Sequence, residues 1–260
     1  MGRDLGHIVI TGASAGIGEA IARAFAGTGQ RLTLVARREA PMQALATELA
    51  TSGTACKVIA CDLADLDRAT SWVADAEAAH GPIDVLVLNA GIQIVKRALS
   101  VTDAEAEAEM RLNLLAPQRL TRLVAPTMLA RGGGTIVIIS SMAGLTHTPG
   151  MADYSATKAG AAAYFETLRV ELEGSGVNVV TVYPGPVATD MEVAARARLS
   201  EDFLTKNLPT GAPDELGRLV RRAVAKGDAR LVYPKIYGIT RYMRGASQWF
   251  TYRFAPKTRE

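Results

Sequence analysis

Tyr154 and Lys158 stand four residues apart in the stretch YSATK. On a helix that spacing puts both side chains on one face, so a phenol and an ammonium can approach one another. A phenol with an ordinary pKa of about 10 exchanges its proton reluctantly near neutrality, and nearby positive charge stabilises the phenolate. The pair can therefore act as a proton donor and acceptor with its own cation, or it can be a solvated surface pair. Spacing alone leaves both open.

A second set lies near the amino end, in TGASAGIG from Thr11 to Gly18. Gly12, Gly16 and Gly18, with Ser14 and Ile17 among them, fall between an apolar run and a helical pattern. Missing side chains there let the backbone and a helix N-terminus approach a pyrophosphate. The G-x-x-x-G-x-G spacing departs from the commoner G-x-G-x-x-G, and a tight turn explains the same glycines. After the next apolar run, in LTLVARRE, Ala36, Arg37 and Arg38 stand where NAD enzymes place a ribose-binding carboxylate. Arginine at that point can hold a 2′-phosphate by charge-assisted bonds, which favours NADP(H) over NAD(H). A solvated pair at a helix start is the alternative. Asp62, with Leu63 beside it, either accepts a hydrogen bond from an adenine amino group or caps a helix beginning near Asp65. Asn89, Ala90 and Gly91 make either a polar turn close to a cofactor or an ordinary strand end.

These residues need elements to hold them. Short apolar runs (HIVITG, RLTLVA, CKVIAC, IDVLVLN, GTIVIIS, VNVVTVYPG and ARLVYP) alternate with helical patterns such as GEAIARAFAGTG. Nearly continuous apolarity suits parallel strands covered on both faces, so the expectation is a doubly wound α/β sheet of seven strands in one domain over 1–260. Its chemistry belongs beyond the carboxyl ends of the strands. The chain has 260 residues, 48% apolar and 21% charged, with a net charge of +3, which argues against a broad nucleic-acid footprint. No apolar run is long enough for a signal peptide or a membrane span, so a cytoplasmic protein is expected. Cys56 and Cys61 lie on opposite faces of one strand-like run and read as reduced thiols. Three scattered histidines provide no metal-ligand spacing.

Taken together and in order, these motifs resemble the short-chain dehydrogenase/reductase family from about Ile8 to Pro234: T-G-x-x-x-G-x-G, Asp62, N-A-G, Asn113, Ser141 in SMAG, Y-x-x-x-K and PGPVAT. The resemblance implies NAD(P)-dependent hydride transfer between an alcohol and a carbonyl compound, acting on the CH–OH group, on a Rossmann-like sheet in a homodimer or homotetramer. It assigns Tyr154 as acid and base, and Lys158 as its cation and a holder of the nicotinamide ribose. Ser141 would hold the substrate oxygen, with Ser140 the competing assignment. Pro184, Gly185, Val187 and Thr189 would form the nicotinamide loop. Asn113 matches the asparagine that helps bind a relay water. Pro117 cannot donate an amide to the Asn113 carbonyl, which leaves an acceptor for that relay or simply kinks a helix. One departure is Ala15, where many NADP-preferring relatives carry a basic residue; phosphate binding then rests on Arg37 and Arg38, with Ser14.

The substrate pocket is expected from Met142, Leu145, His147 and Met151, from residues 92–95, and from the segment 190–208 within a substrate loop at 190–212. Its apolar character suits a hydrophobic small molecule, and core packing would give the same composition. An NADP(H)-binding redox sensor or scaffold is the alternative function, although such relatives usually lose the tyrosine or lysine. The tail 235–260 holds six of the 14 aromatic residues, and from Arg230 onward seven basic residues against Glu260 alone give +6. Ile239, Met243, Ala246 and Phe250 would share one apolar helical face, with Arg241 and Arg244 elsewhere. Such a face can pack on the pocket or a partner subunit, or lie on an anionic membrane surface.

Overall fold

The structure is a computed structural model that describes residues 5–200, 209–241 and 243–254. Seven parallel strands form one sheet: β1 His7–Thr11, β2 Arg31–Ala36, β3 Ala55–Ala60, β4 Ile83–Leu88, β5 Gly134–Ile139, β6 Val177–Pro184 and β7 Arg230–Tyr233. Their order is β3-β2-β1-β4-β5-β6-β7, so the winding reverses between β1 and β4. This is the doubly wound arrangement that the sequence implies, and its crevice opens where β1 and β4 end.

Alternation splits each central strand between two cores. Ile8, Ile10, Leu32, Leu34, Val137 and Ile139 face helices α1 (Gly16–Phe25) and α2 (Glu39–Ala50), with Ile21, Phe25, Met42 and Leu45 packed against them. Val9, Val35, Leu86, Leu88, Ile136 and Ile138 face the other side, against Trp72, Leu120, Val124, Met128 and Phe165. Those come from the turns before α3 (Val73–His80), from α5 (Ala116–Ala130) and from α6 (Ala152–Glu171). Burying apolar side chains on both faces explains why these strands are continuously apolar rather than alternating. β3 is the exception, since it lies at the sheet edge and is only partly covered. Its Cys56 packs with the first core and Cys61, just beyond it, with the second; both are free thiols.

Two elements differ from expectation. No helix begins near Asp65: residues 63–72 form turns, and α3 starts only at Val73. The helical run around Asn113 is divided into α4 (Asp103–Met110), a π-helical turn at Arg111–Leu115, and α5. The Ala116 amide bonds to the Arg111 carbonyl, five residues back, so the wider turn accommodates Pro117, which has no amide to donate. α4 begins with a capping box, in which Thr102 Oγ1 accepts from the Glu105 amide and Glu105 accepts from the Thr102 amide. Beyond β6 lie α7 (Asp190–Ala197) and α8 (Pro213–Lys226); Gly217 lets α8 approach α1 so closely that a Cβ there would stand 2.5 Å from the Ala20 carbonyl oxygen. Residues 201–208 of the expected substrate loop lie outside the described residues. Among the described residues, no helix is long and apolar enough to cross a membrane and no cluster of three metal-ligand side chains occurs.

Candidate active site

The ends of β1 and β4 are joined by a small polar network. Thr11 Oγ1 donates to the Val87 carbonyl and accepts from the amides of Asn89 and Ala90, while Asn89 Nδ2 donates to the carbonyls of Thr11 and Gly12. Asn89 therefore ties the glycine loop to the β4 end as well as bordering the cavity above them. Gly12 and Gly16 adopt φ of +69° and +59°, which favour glycine. A Cβ on Gly18 would stand 2.3 Å from the Gly12 carbonyl oxygen, so this glycine serves close packing of α1 beneath the loop and does not itself line the cavity. Gly12, Ser14, Gly16 and Ile17 do line it.

At the end of β2, Arg37 and Arg38 are exposed and border the same cavity. Arg38 Nη2 donates to Ser14 Oγ at 3.3 Å, bringing a guanidinium and a hydroxyl together beside the glycine loop. Asp62, Leu63, Ala90 and Gly91 complete that side. Asp62 Oδ1 accepts from the Ala64 amide, which makes a local turn rather than a helix cap. A smaller cavity of about 260 Å³ opens between Arg37, Asp62 and Arg68. Arg68 was not singled out in the sequence, because it lies in the turns that replaced the expected helix. A loop with glycines at Gly12 and Gly16, a helix N-terminus and a pair of arginines fit a dinucleotide bearing a 2′-phosphate.

The proposed chemical residues converge opposite. Tyr154 and Lys158, in the first turns of α6, are both nearly buried, with the Lys158 ammonium 5.7 Å from the centre of the Tyr154 ring. Lys158 Nζ donates to the Ile139 carbonyl at 2.9 Å. Ser141, at the start of a 3₁₀ turn (Met142–Gly144), faces the cavity and hydrogen-bonds the Tyr154 phenol; its Oγ accepts from the Ala143 amide. Ser140 instead donates to the Lys158 carbonyl. Burial pushes the Tyr154 phenol up to about 12, opposed by Ser141 and reinforced by Glu109 and Glu192. Burial also pulls Lys158 down to about 8, opposed by Glu109. Desolvation dominates at Tyr154 and favours the neutral phenol. Asn113 is buried, and its side chain grips the chain beyond β4: Oδ1 accepts from the Ile92 amide at 2.9 Å, and Nδ2 donates to the Ile92 carbonyl and to Thr157 Oγ1.

Pro184, Gly185, Val187 and Thr189 run along the cavity from the end of β6. Thr189 caps α7 by accepting from the Glu192 amide, and a Cβ on Gly16 would stand 3.2 Å from its methyl group. The cavity as a whole is about 930 Å³. Of the expected pocket residues, Ile92, Gln93, Met142 and Met151 border it, as do Met191, Glu192, Ala195 and Leu199 of the segment from 190, whereas Leu145 packs into the core beside Met142 and Tyr183. His147 also turns away; its neighbours Thr146 and Thr148 face the cavity instead. Residue-by-residue alternation along that loop was not readable in a sequence without periodic structure.

The tail supplies the remaining wall. A 3₁₀ segment, Lys235–Arg241, leads into α9, Arg244–Phe254, so the expected face is carried by two elements rather than one helix. Ile239, Met243, Ala246 and Phe250 nevertheless all border the cavity, joined by Ser247, Thr251 and Phe254. Tyr242, the side chains of Arg241 and Arg244, and residues 255–260 lie outside the described residues. Two bonds clamp α9 to the loop after Ser141: the His147 amide donates to Gln248 Oε1 at 2.7 Å, and Gln248 Nε2 donates to the His147 carbonyl at 2.9 Å. Tyr237 donates to the Pro209 carbonyl, and its ring would meet a Cβ on Gly185 at 2.8 Å.

A doubly wound parallel sheet with a glycine loop and a Ser–Tyr–Lys group at its carboxyl ends defines a Rossmann-like oxidoreductase architecture. The profile of the short chain dehydrogenase family matches residues 6–200, and this chain belongs to that family. It is 37% identical over 190 residues to the ketoacyl reductase HetN of Nostoc, covering 73% of this chain and 66% of that protein. It is 35% identical over 219 residues to nodulation protein G of Azospirillum brasilense, covering 82% and 87%. A short-chain dehydrogenase from Sphingobium yanoikuyae, solved with NADPH, superposes with a TM-score of 0.81 at 30% identity over 96% of each chain. An alcohol dehydrogenase from Thermococcus sibiricus, solved with 5-hydroxy-NADP, gives 0.77 at 28% identity over 89% and 97%. The matched part spans 66% of the Nostoc protein and 60% of a Pseudocercospora fijiensis short chain dehydrogenase.

Replacing Gln248 by Ala removes both bonds that tether α9. The expected result is amide exchange at least tenfold faster at His147 and through 244–254, read by hydrogen–deuterium exchange, with the central strands unchanged. Equal protection in the variant would show that apolar packing alone holds the tail.

Proposed function

We propose that this chain is an NADP(H)-dependent oxidoreductase that interconverts a ketone or aldehyde with its alcohol on an apolar small molecule. The observation that carries the reading is the convergence of Ser141, Tyr154 and Lys158 on one cavity whose opposite wall is the glycine loop with Arg37 and Arg38. The NADPH and 5-hydroxy-NADP in the Sphingobium and Thermococcus structures support the same cofactor. Gly12, Ser14, Gly16 and Ile17 would hold its pyrophosphate, Arg37 and Arg38 its 2′-phosphate, and Asp62 and Leu63 its adenine. Asn89, Ala90, Gly91, Lys158 and the loop from Pro184 to Thr189 would hold the nicotinamide half. When bound, NADPH supplies a hydride to the carbonyl carbon. Tyr154, held as a phenol by burial, gives its proton to the carbonyl oxygen, and the Ser141 hydroxyl steadies that oxygen as charge develops. Lys158 keeps a cation beside the phenol, and the Asn113 main chain would connect it to solvent. We read residues 1–260 as one such unit, with the tail as part of its substrate pocket. A homodimer or homotetramer is supported by the exposed Leu115, Leu123 and Leu129 on or beside α5.

A panel of carbonyl compounds followed by NADPH oxidation tests the activity, and tight NADPH binding without turnover on any compound would return the reading to a sensor. Tyr154→Phe is expected to lose at least a hundredfold in kcat, within the range general acid catalysis supplies, while NADPH affinity stays within about twofold. Retention of more than a few per cent of turnover would remove Tyr154 from the acid role. NADPH is expected to bind at least tenfold more tightly than NADH, about 1.4 kcal/mol, and the Arg37→Ala, Arg38→Ala double variant to erase that ratio. An unchanged ratio in nucleotide titrations would place phosphate recognition elsewhere. Light scattering reads the assembly directly, and a monomer at micromolar concentration would overturn the oligomer.

A further inference from the structure

Glu109 lies at the end of α4 with no exposed surface at all. Its Oε1 accepts from the Ile94 amide at 2.7 Å, and Oε2 is buried without a hydrogen-bond partner among the described residues. A carboxyl group so placed is costly, and a leucine would fill the same space without that cost. Its position gives it company of a particular kind. Four residues on, Asn113 grips Ile92 as Glu109 grips Ile94, so two side chains of one helical run hold the segment 92–94 from behind. Ile92 and Gln93 of that segment border the cavity.

The surroundings are charged as well as close. A Cβ on Gly91 would stand 3.0 Å from Asn113 Oδ1 and 3.4 Å from Lys158 Nζ, so the ammonium and the gripping asparagine crowd one point. From α6, Tyr154, Lys158 and Asp153 all act on Glu109 or are acted on by it; from its own helix, Glu105 does, itself ion-paired with Lys96.

We propose that Glu109 is a positioning residue of the catalytic group: its carboxyl places a negative charge behind Tyr154 and Lys158 and thereby holds the phenol and the ammonium in their protonated forms. The inference rests on the carbonyl-reductase reading for its kinetic consequence, not for its electrostatics. A carboxylate stabilises the ammonium and disfavours the phenolate, so both effects preserve the proton that reduction consumes. Burial pushes Glu109 itself up to about 7, with Asp153 and Glu105 reinforcing and the Ile94 amide and Lys158 opposing. Its charge therefore develops as pH rises through neutrality, in the range where Lys158 begins to lose its own proton. Glu109 acts on both Tyr154 and Lys158, so a change in its charge is felt by each.

Glu109→Gln keeps an acceptor for the Ile94 amide and removes the charge, whereas Glu109→Asp keeps the charge and withdraws the grip. The alkaline limb of kcat/KM for carbonyl reduction is expected to move to lower pH in Glu109→Gln, by roughly one unit, with Glu109→Asp nearer the wild-type limb. A purely structural role predicts the reverse order, with Glu109→Asp the more damaged and no shift of the limb in Glu109→Gln, and that result would overturn the proposal. Titration of the wild-type protein provides a readout that needs no turnover. With ¹³C-labelled glutamate and ¹⁵N-labelled lysine, one buried carboxyl is expected to titrate near neutrality, and the Lys158 Nζ resonance, identified by its loss in Lys158→Met, to show a step at the same midpoint. The absence of that shared step overturns the proposal. Failure of every carbonyl compound to react sinks the reductase reading alone and leaves the labelled titration to judge Glu109.

Discussion

Lys158 is fixed at both ends, and the candidate site is assembled around that fixture. Its carbonyl accepts from Ser140 Oγ and lies against Gly144, where a Cβ would stand 2.9 Å away; its ammonium donates to the Ile139 carbonyl and crowds Gly91. One residue thus registers α6 against the end of β5, the turn that carries Ser141, and the segment beyond β4. The contact with the turn is possible only because a glycine stands at 144. Any side chain at Gly144 would push α6 away from the turn, and the hydroxyl and the phenol would part.

The same closeness fixes the electrostatics. Water is largely excluded from Tyr154 and Lys158, so each is driven toward its neutral form, the phenol upward and the ammonium downward. In such surroundings a single partner counts for more than it would in solvent. Ser141 favours the phenolate, and the carboxyls of Glu109 and Glu192 favour the phenol. The protonation of the pair is therefore set first by burial and then adjusted by Ser141, Glu109 and Glu192.

Around this centre the far end of the cavity is built from less regular parts. The walls come from the loop after Ser141, from α7 and from the tail, joined by the Gln248 clamp and the Tyr237 contact. The cofactor end instead rests on strand termini and a helix N-terminus. Parts anchored by sheet hydrogen bonds can keep one geometry for a common ligand, while loops and a terminal helix can vary around it. Two of the threonines in the wall, Thr146 and Thr148, give an otherwise apolar loop a few polar points.

How much of this was legible follows from what each feature depends on. The seven strands were readable because burial on both faces leaves a continuous apolar run in the sequence, and Tyr154 with Lys158 was readable because helical spacing alone puts them on one face. The apolar face through Ile239, Met243, Ala246 and Phe250 was readable for the same reason, even though two elements share it. The sequence could not show that β3 would be an edge, that Asp62 would close a turn rather than cap a helix, or that Pro117 would be met by a π-helical turn. Nor could it show that Gly18 packs while Gly12 and Gly16 line, that His147 turns away, or that Glu109 would be buried against the Ile94 amide. Those outcomes depend on what stands across the gap, and a residue's neighbours across a fold are set by packing between segments distant in the chain. Local periodicity carries the identity of an element; burial, and with it the charge state of Tyr154, Lys158 and Glu109, exists only once those elements have closed on one another.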